Sequence, residues 1–310
     1  MATDDMPSFL SISNPTDLSL VAYPSAAHSL KRKADDQTSA SDAPPGKKLK
    51  GLLSGDDMIT DSLNQDSYPL LAAMSQISSI YEAIQSIGKI DFASPDLFRE
   101  LPFPSPIPLP SERFSWSKPL GGVDSFQYIG REMFAQLQDS IRQPDIQNAF
   151  NRLCLYGPTG TGKSHLLAAL VCQLVLDNER VFYIPDCRRL VVENTFHHIR
   201  NALLFAFHGD RRACSKIAEA KTLDQLLSFQ DSQPPRSAYF VIDQWNALEF
   251  HDPNDPNRAH KEQVLQFLNA IGTGQKYIYS AASNEQASVH AEGKQWNIRT
   301  LYFRSGMSQV

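Results

Sequence analysis

The sequence predicts an α/β fold in which helices cover both faces of a parallel sheet, three layers in all, preceded by a largely disordered N-terminal region. Three observations predict it. From about residue 119, short β-rich runs alternate with helical stretches, and the runs are almost continuously apolar, as strands buried on both faces must be. The first run, 152–156, leads directly into a glycine-rich loop and then a helix. Composition also breaks along the chain. Residues 1–118 carry 10 Lys+Arg against 15 Asp+Glu and the remaining 192 carry 19 of each, so the net charge of −5 belongs to the front.

In chain order, residues 1–66 are dominated by Ser, Asp, Pro, Ala and Thr. Too few apolar groups are present to offset the entropy of ordering them, and the segment reads as disordered. It contains Lys31-Arg32-Lys33 and, after thirteen small or polar residues, Lys47-Lys48-Leu49-Lys50. Two basic clusters on a flexible spacer suit two acidic pockets of a nuclear import receptor. They read as a bipartite signal and a nuclear location, against the plainer reading of a solvated charge run.

Residues 67–118 read as a helix plus a proline-rich linker. Leu70, Leu71, Met74, Ile77, Ile80, Tyr81, Ile84 and Ile87 follow one helical face within 70–90. From Pro102 to Pro110 proline occupies every second position, which blocks helix and central strand and favours an extended spacer, with a docking ligand for an aromatic groove as the competitor.

Residues 119–310 form the candidate globular domain. Strands are expected at 152–156, 181–184, 239–242, 276–279 and near 300–303, with helices at 163–177, near 188–207, at 216–229 and at 258–271. No run approaches the roughly 18–20 apolar residues of a membrane span, and the start carries no basic segment followed by an apolar one. Cys154, Cys172, Cys187 and Cys214 form no CxxC pair, and the histidines show no ligand spacing, so neither a disulfide framework nor a structural metal is expected.

The chemistry concentrates in Gly157-Pro158-Thr159-Gly160-Thr161-Gly162-Lys163-Ser164, a full GxxxxGK[ST] match with a strand before it and a helix after it. Such a loop turns its N–H groups inward and stands at the positive end of a helix. Lys163 is placed for the β/γ-phosphates and the Ser164 hydroxyl for Mg2+, which makes the core a P-loop NTPase fold with ATP and Mg2+ as expected cofactors. His165, next along, is counted with the loop as a nucleotide contact.

Hydrolysis needs an acidic group at the end of a neighbouring strand. Tyr239-Phe240-Val241-Ile242-Asp243 supplies it as the second Mg2+ residue, although an Asp there also suits plain helix capping. The next residue is Gln244, where many such ATPases carry a glutamate. Glutamine orients water without accepting its proton, so turnover is slow, uses another carboxylate such as Glu249 or Glu285, or waits for a partner. At the tip of the strand expected between loop and carboxylate, Asn284, or Ser283 beside it, fits a γ-phosphate or water contact, with ordinary turn chemistry as the alternative. Arg299 and Arg304 are candidates for an arginine finger or for simple surface residues.

Upstream, Tyr128-Ile129-Gly130-Arg131-Glu132 resembles the hhGRE box of AAA+ and STAND ATPases. That resemblance implies that Gly130 and Arg131 lie beside the adenine and ribose, although a loop glycine before a capped helix reads equally well. The strings Tyr156 to Ser164, Tyr183-Ile184-Pro185-Asp186-Cys187, Ile242-Asp243-Gln244-Trp245-Asn246-Ala247-Leu248 and Ser280-Ala281-Ala282-Ser283-Asn284-Glu285 resemble the P-loop NTPase domain of Crinkler and retrotransposon-hot-spot type proteins over about residues 125–285. The resemblance implies an ASCE-type ATPase fold, nuclear targeting in many members and frequent fusion to nuclease-like or effector domains. This chain departs from the pattern, with no Leu-Phe-Leu-Ala-Lys-like segment at the front and no fused domain after Asn284.

The expected function is Mg-dependent ATP binding, with hydrolysis, by a nuclear P-loop NTPase that couples nucleotide state to a conformational change or assembly. The alternatives are a nucleotide-dependent interaction module or effector with little hydrolysis, and a P-loop small-substrate kinase whose only candidate lid is 209–216. A homo-oligomer stays open as a partner state, no membrane is expected, and a charge-balanced domain gives nucleic-acid binding no support.

Overall fold

The computed structural model describes residues 57–107, 114, 122–142, 151–249, 254–282 and 297–302. The import-like clusters, Ser283, Asn284, Glu285 and Arg304 lie outside them. All described residues belong to one compact unit, Ser54–Val310.

Five parallel strands form the central sheet: β3 (Asn151–Gly157), β4 (Val181–Ile184), β5 (Tyr239–Ile242), β6 (Lys276–Ala282) and β7 (Asn297–Tyr302). Their spatial order is β4-β5-β6-β3-β7. Registers such as Leu155↔Ser280 and Ile242↔Tyr279 align the C-terminal ends of β3, β5 and β6 along one edge. Strands β4 and β5 are buried at every position, as their unbroken apolar sequences require. The α/β class and parallel sheet therefore stand as the sequence predicts.

Two further strands, β1 (Phe98–Pro102) and β2 (Ser125–Ile129), form a separate antiparallel pair with Phe98 opposite Ile129 and Pro102 opposite Ser125. They correct the linker reading. Leu101, Phe103 and Ile107 are buried, and Phe103 N–H extends the pairing by donating to Asp124 O at 2.7 Å. Pro102 is tolerated as the last residue of an edge strand, and the residues that follow it, through Ile107, are buried with Leu101.

Helix α1 (Asp57–Ser86) starts earlier than the predicted helix, inside the stretch read as disordered. It buries Ile77, Ile80, Ile84 and, just beyond its end, Ile87, leaving Leu71 65% exposed off that stripe. Gly88, at φ +73°, takes the left-handed conformation that closes a helix. Helix α2 (Glu132–Arg142) follows β2 and buries Phe134, Leu137 and Ile141.

The α1–β1–β2 assembly covers α3 (Lys163–Leu176). Gln85 donates to Val175 O at 3.3 Å and Cys172 Sγ lies 3.5 Å from Pro102 O. With the sheet on one side and this cover on the other, Leu166 through Cys172 are all buried, and α3 is apolar on every side over those two turns. The segment 70–107 thus contributes to the same hydrophobic core as the sheet rather than forming a separate preceding segment.

Between β4 and β5 the two expected helices are four: α4 (Cys187–Val192), α5 (Thr195–Ala206), α6 (Arg211–Glu219) and α7 (Leu223–Asp231). Asp186, Asn194, Asp210 and Thr222 each accept a backbone N–H at the start of one of them, so side-chain caps set the breaks. Helix α8 (Arg258–Ile271) spans the predicted residues. No helix among the described residues is long and apolar enough to cross a membrane.

Candidate functional site

The loop 157–164 leaves the C-terminal end of β3 and opens α3, with Gly160 and Gly162 in the left-handed region at φ +83° and +81°. Lys163 is the first residue of the helix and is only 7% exposed. Its ammonium folds back over the loop, donating to Gly157 O at 2.7 Å and Pro158 O at 2.8 Å, with Thr161 Oγ1 at 3.5 Å. Burial pushes the Lys163 pKa down, opposed by the negative charge of Asp243. Thr161 Oγ1 donates to Pro158 O at 2.9 Å and pins the turn, and Ser164 follows, half-buried.

Asp243 is placed at the end of β5 by a parallel ladder: its N–H donates to Ile184 O at 2.8 Å, and Cys187 N–H donates to its carbonyl at 3.2 Å. The residue is fully buried. Strand β6 separates β5 from β3, so the carboxylate approaches the loop across the tip of β6, where the sequence reading places the polar contact. The tip residues themselves, Ser283 and Asn284, lie outside the described residues.

Gln244 is half-buried and adopts φ 62°, ψ 43°, immediately before a short 3-10 turn, Trp245–Leu248. Trp245 anchors that turn against Tyr277 and Tyr279, at ring distances of 5.8 and 5.3 Å. Glu249, the substitute carboxylate suggested by the sequence, ends this turn and is 9% exposed.

Gly130 and Arg131 connect the N-terminal cover to the loop. Gly130 N–H donates to Leu97 O at 2.8 Å, and a Cβ at 130 would collide with the carbonyl of Ser94, which is why the position is glycine. Arg131 Nη1 donates to Thr161 O at 2.7 Å. Its guanidinium lies where a Cβ on Gly162 would fall, so Gly162 serves both the positive φ and this close approach. The hhGRE-like box and the loop 157–164 are therefore in contact.

His165 packs under the same loop against Phe114 and Phe126, at ring distances of 4.5 and 5.9 Å. Burial, reinforced by the Arg131 charge, lowers its pKa from 6.5 to about 4. The unfolded chain therefore takes up this proton first on acidification, and the stability that depends on neutral His165 is present above about pH 6.5 and lost as pH falls towards about 4. Urea titrations at pH 7 and pH 4.5 are expected to show a loss in the wild type that exceeds the loss in His165→Phe by about 1–3 kcal/mol. Equal losses would refute the assignment.

Two expectations change position. Segment 209–216, the candidate kinase lid, forms the start of α6. Asp210 at its head pairs with Arg180 at 3.2 Å, and Arg180 directly precedes β4, so Arg211 and Arg212, the first residues of α6, follow a residue tied to the N-terminal end of the strand, opposite the loop. Arg299 lies within β7, the edge strand, opposite Leu153, rather than flanking the strand. Sequence reasoning missed Ser280 and Phe114. Ser280 donates to Asp243 Oδ1 from the neighbouring strand, a pairing visible only once β6 is known to lie beside β5.

No protein-family model matches the chain, and no curated protein matches it. Among solved structures the chain is similar to a DNA replication initiation factor, at 12% identity and a TM-score of 0.31, covering 54% of this chain and 45% of that one. It is also similar to AMPPCP-bound DnaA from Aquifex aeolicus (15%, TM-score 0.29, 54% and 44%) and to C. elegans PCH-2 (16%, TM-score 0.29, 55% and 40%). The chain spans less than half the length of each of these proteins.

Proposed function

We propose that this chain is a P-loop ATPase of nuclear location that binds ATP with Mg2+, hydrolyses it slowly, and couples the nucleotide state to a conformational change or to assembly. One observation carries the reading. A buried ammonium, Lys163, is held by hydrogen bonds to neutral oxygens of its own loop, at the sheet edge where a fully buried carboxylate, Asp243, ends β5, with β6 between that strand and the loop's own. A buried cation gains by exchanging neutral acceptors for phosphate oxygens, so the loop suits a triphosphate. The Ser164 hydroxyl and Asp243 carboxylate are hard oxygen donors of the kind Mg2+ takes alongside phosphate and water.

On this reading the backbone N–H groups of the loop 157–164, Pro158 having none, and the Lys163 ammonium bind phosphates, and Ser164 and Asp243 hold the metal. Gly130, Arg131 and His165 stand on the base and ribose side. Gln244 orients water without taking its proton, and Asn284 contacts the γ-phosphate. The bound metal supplies charge neutralisation of the leaving phosphate. The Crinkler-type relationship, import through Lys31–Lys33 and Lys47–Lys50, and self-assembly belong to the same proposal.

Gln244 favours a second reading, a nucleotide-dependent interaction module with little turnover. Steady-state turnover of the wild type and Gln244→Glu decides between them. Restoring a base is expected to raise kcat about tenfold or more, given the 10²–10⁴ typical of general base catalysis. A Gln244→Glu chain that binds Mg-ATP yet turns over no faster would remove Gln244 from the water-activating position.

A further inference from the structure

Ser280 stands apart from the site the sequence outlines. It is fully buried on β6, four residues before the predicted phosphate contact, in a strand whose neighbouring positions are apolar or aromatic. A buried hydroxyl is retained at a cost unless its hydrogen bonds are made. Its hydrogen donates to Asp243 Oδ1. The Gln244 N–H donates to the same Oδ1 at 2.9 Å and lies 3.2 Å from Ser280 Oγ. Three groups thus close a small ring around one carboxylate oxygen. The ring holds Gln244 at φ 62°, a region that residues with a Cβ enter only when their surroundings insist.

We propose that Ser280 is a positioning residue that sets the rotation of the Asp243 carboxylate and the backbone conformation of residue 244 together. The inference rests on the nucleotide reading for its consequence but not for its geometry. Without the hydroxyl, Oδ1 keeps a single one of these two donors and the carboxylate turns more freely. The peptide that places the Gln244 side chain then loses part of what holds it in the left-handed region. Ser280 would in this way let the central strand set both the metal-holding oxygen and the water-facing side chain.

The test uses the full chain, with Ser280→Ala to remove the hydroxyl and Ser280→Thr to restore it. Amide exchange at Gln244, read without nucleotide, is expected to rise about tenfold in Ser280→Ala and to return towards wild type in Ser280→Thr, since one hydrogen bond to a charged group is lost and regained. Unchanged exchange in a folded Ser280→Ala protein overturns the proposal whatever nucleotide does. ATP affinity is then measured in Mg2+ and in EDTA, with Mn2+ as the spectroscopic probe of the metal. The metal-dependent gain in affinity is expected to fall about tenfold in Ser280→Ala, with affinity in EDTA unchanged. Equal loss in both conditions, or no loss in either, refutes the positioning of Asp243. A wild type that binds no ATP at all defeats the nucleotide reading, while the exchange result still decides whether Ser280 holds the turn.

Discussion

Lys163→Ala is expected to weaken Mg-ATP binding by about 100-fold or more, roughly 2.7 kcal/mol, when titrated calorimetrically against the wild type. The size follows from the bonds at stake. In the free protein the ammonium donates to Gly157 O and Pro158 O, neutral carbonyls for which burial gives it poor compensation. In complex with a triphosphate the same group makes charge-assisted bonds to anionic oxygens, each worth about twice a neutral one. The variant loses the second set, and stability should move little, because the first set offsets a desolvation penalty that disappears with the side chain. Equal affinity of variant and wild type would end the phosphate-loop reading.

Phe103→Ala is expected to destabilise the protein by about 3–5 kcal/mol in urea denaturation, the usual cost of emptying a fully buried phenylalanine site. Phe103 has no exposed surface, and its ring lies 5.3 Å from Phe114, 6.4 Å from Phe126 and 6.3 Å from Tyr183. Tyr183 belongs to β4 of the central sheet, so the contact ties the proline-rich segment to the domain core. In a solvated spacer the same substitution would cost no more than about 0.5 kcal/mol. A change that small would restore the linker reading and contradict the packing of β1.

Both predictions turn on how residues distant in sequence meet, and legibility divides along that line. The loop 157–164 was readable because its chemistry is local: glycines at fixed spacing, a lysine and a hydroxyl, a strand before and a helix after. Strands β4 and β5 and helix α8 appear at their predicted residues because unbroken apolar runs and a 3.6-residue period are also local signals. Asp243 was readable as the end of an apolar strand. Its fully buried setting, and its approach to Lys163 across β6, needed the strand order.

The proline-rich stretch misled for a physical reason. Alternating proline signals an extended backbone in either a free spacer or an edge strand, and the difference lies in whether a partner strand stands beside it. Here β2, more than twenty residues later, is that partner. Arg131 and Ser280 show the same limit. Nothing in the spacing of Arg131 and Thr161, or of Ser280 and Asp243, announces the hydrogen bonds that join them.

By itself, then, the sequence determined the α/β class, the glycine-rich turn between a buried strand and a helix, and the acidic end of another buried strand, because each rests on interactions among residues within about ten positions of one another. Tertiary structure alone decided that α1 and the proline-rich strand complete the core around α3, that Arg131 clasps the loop, and that Ser280 holds Asp243 and Gln244. Those contacts are made between elements that only the packed sheet and its cover bring within bonding distance.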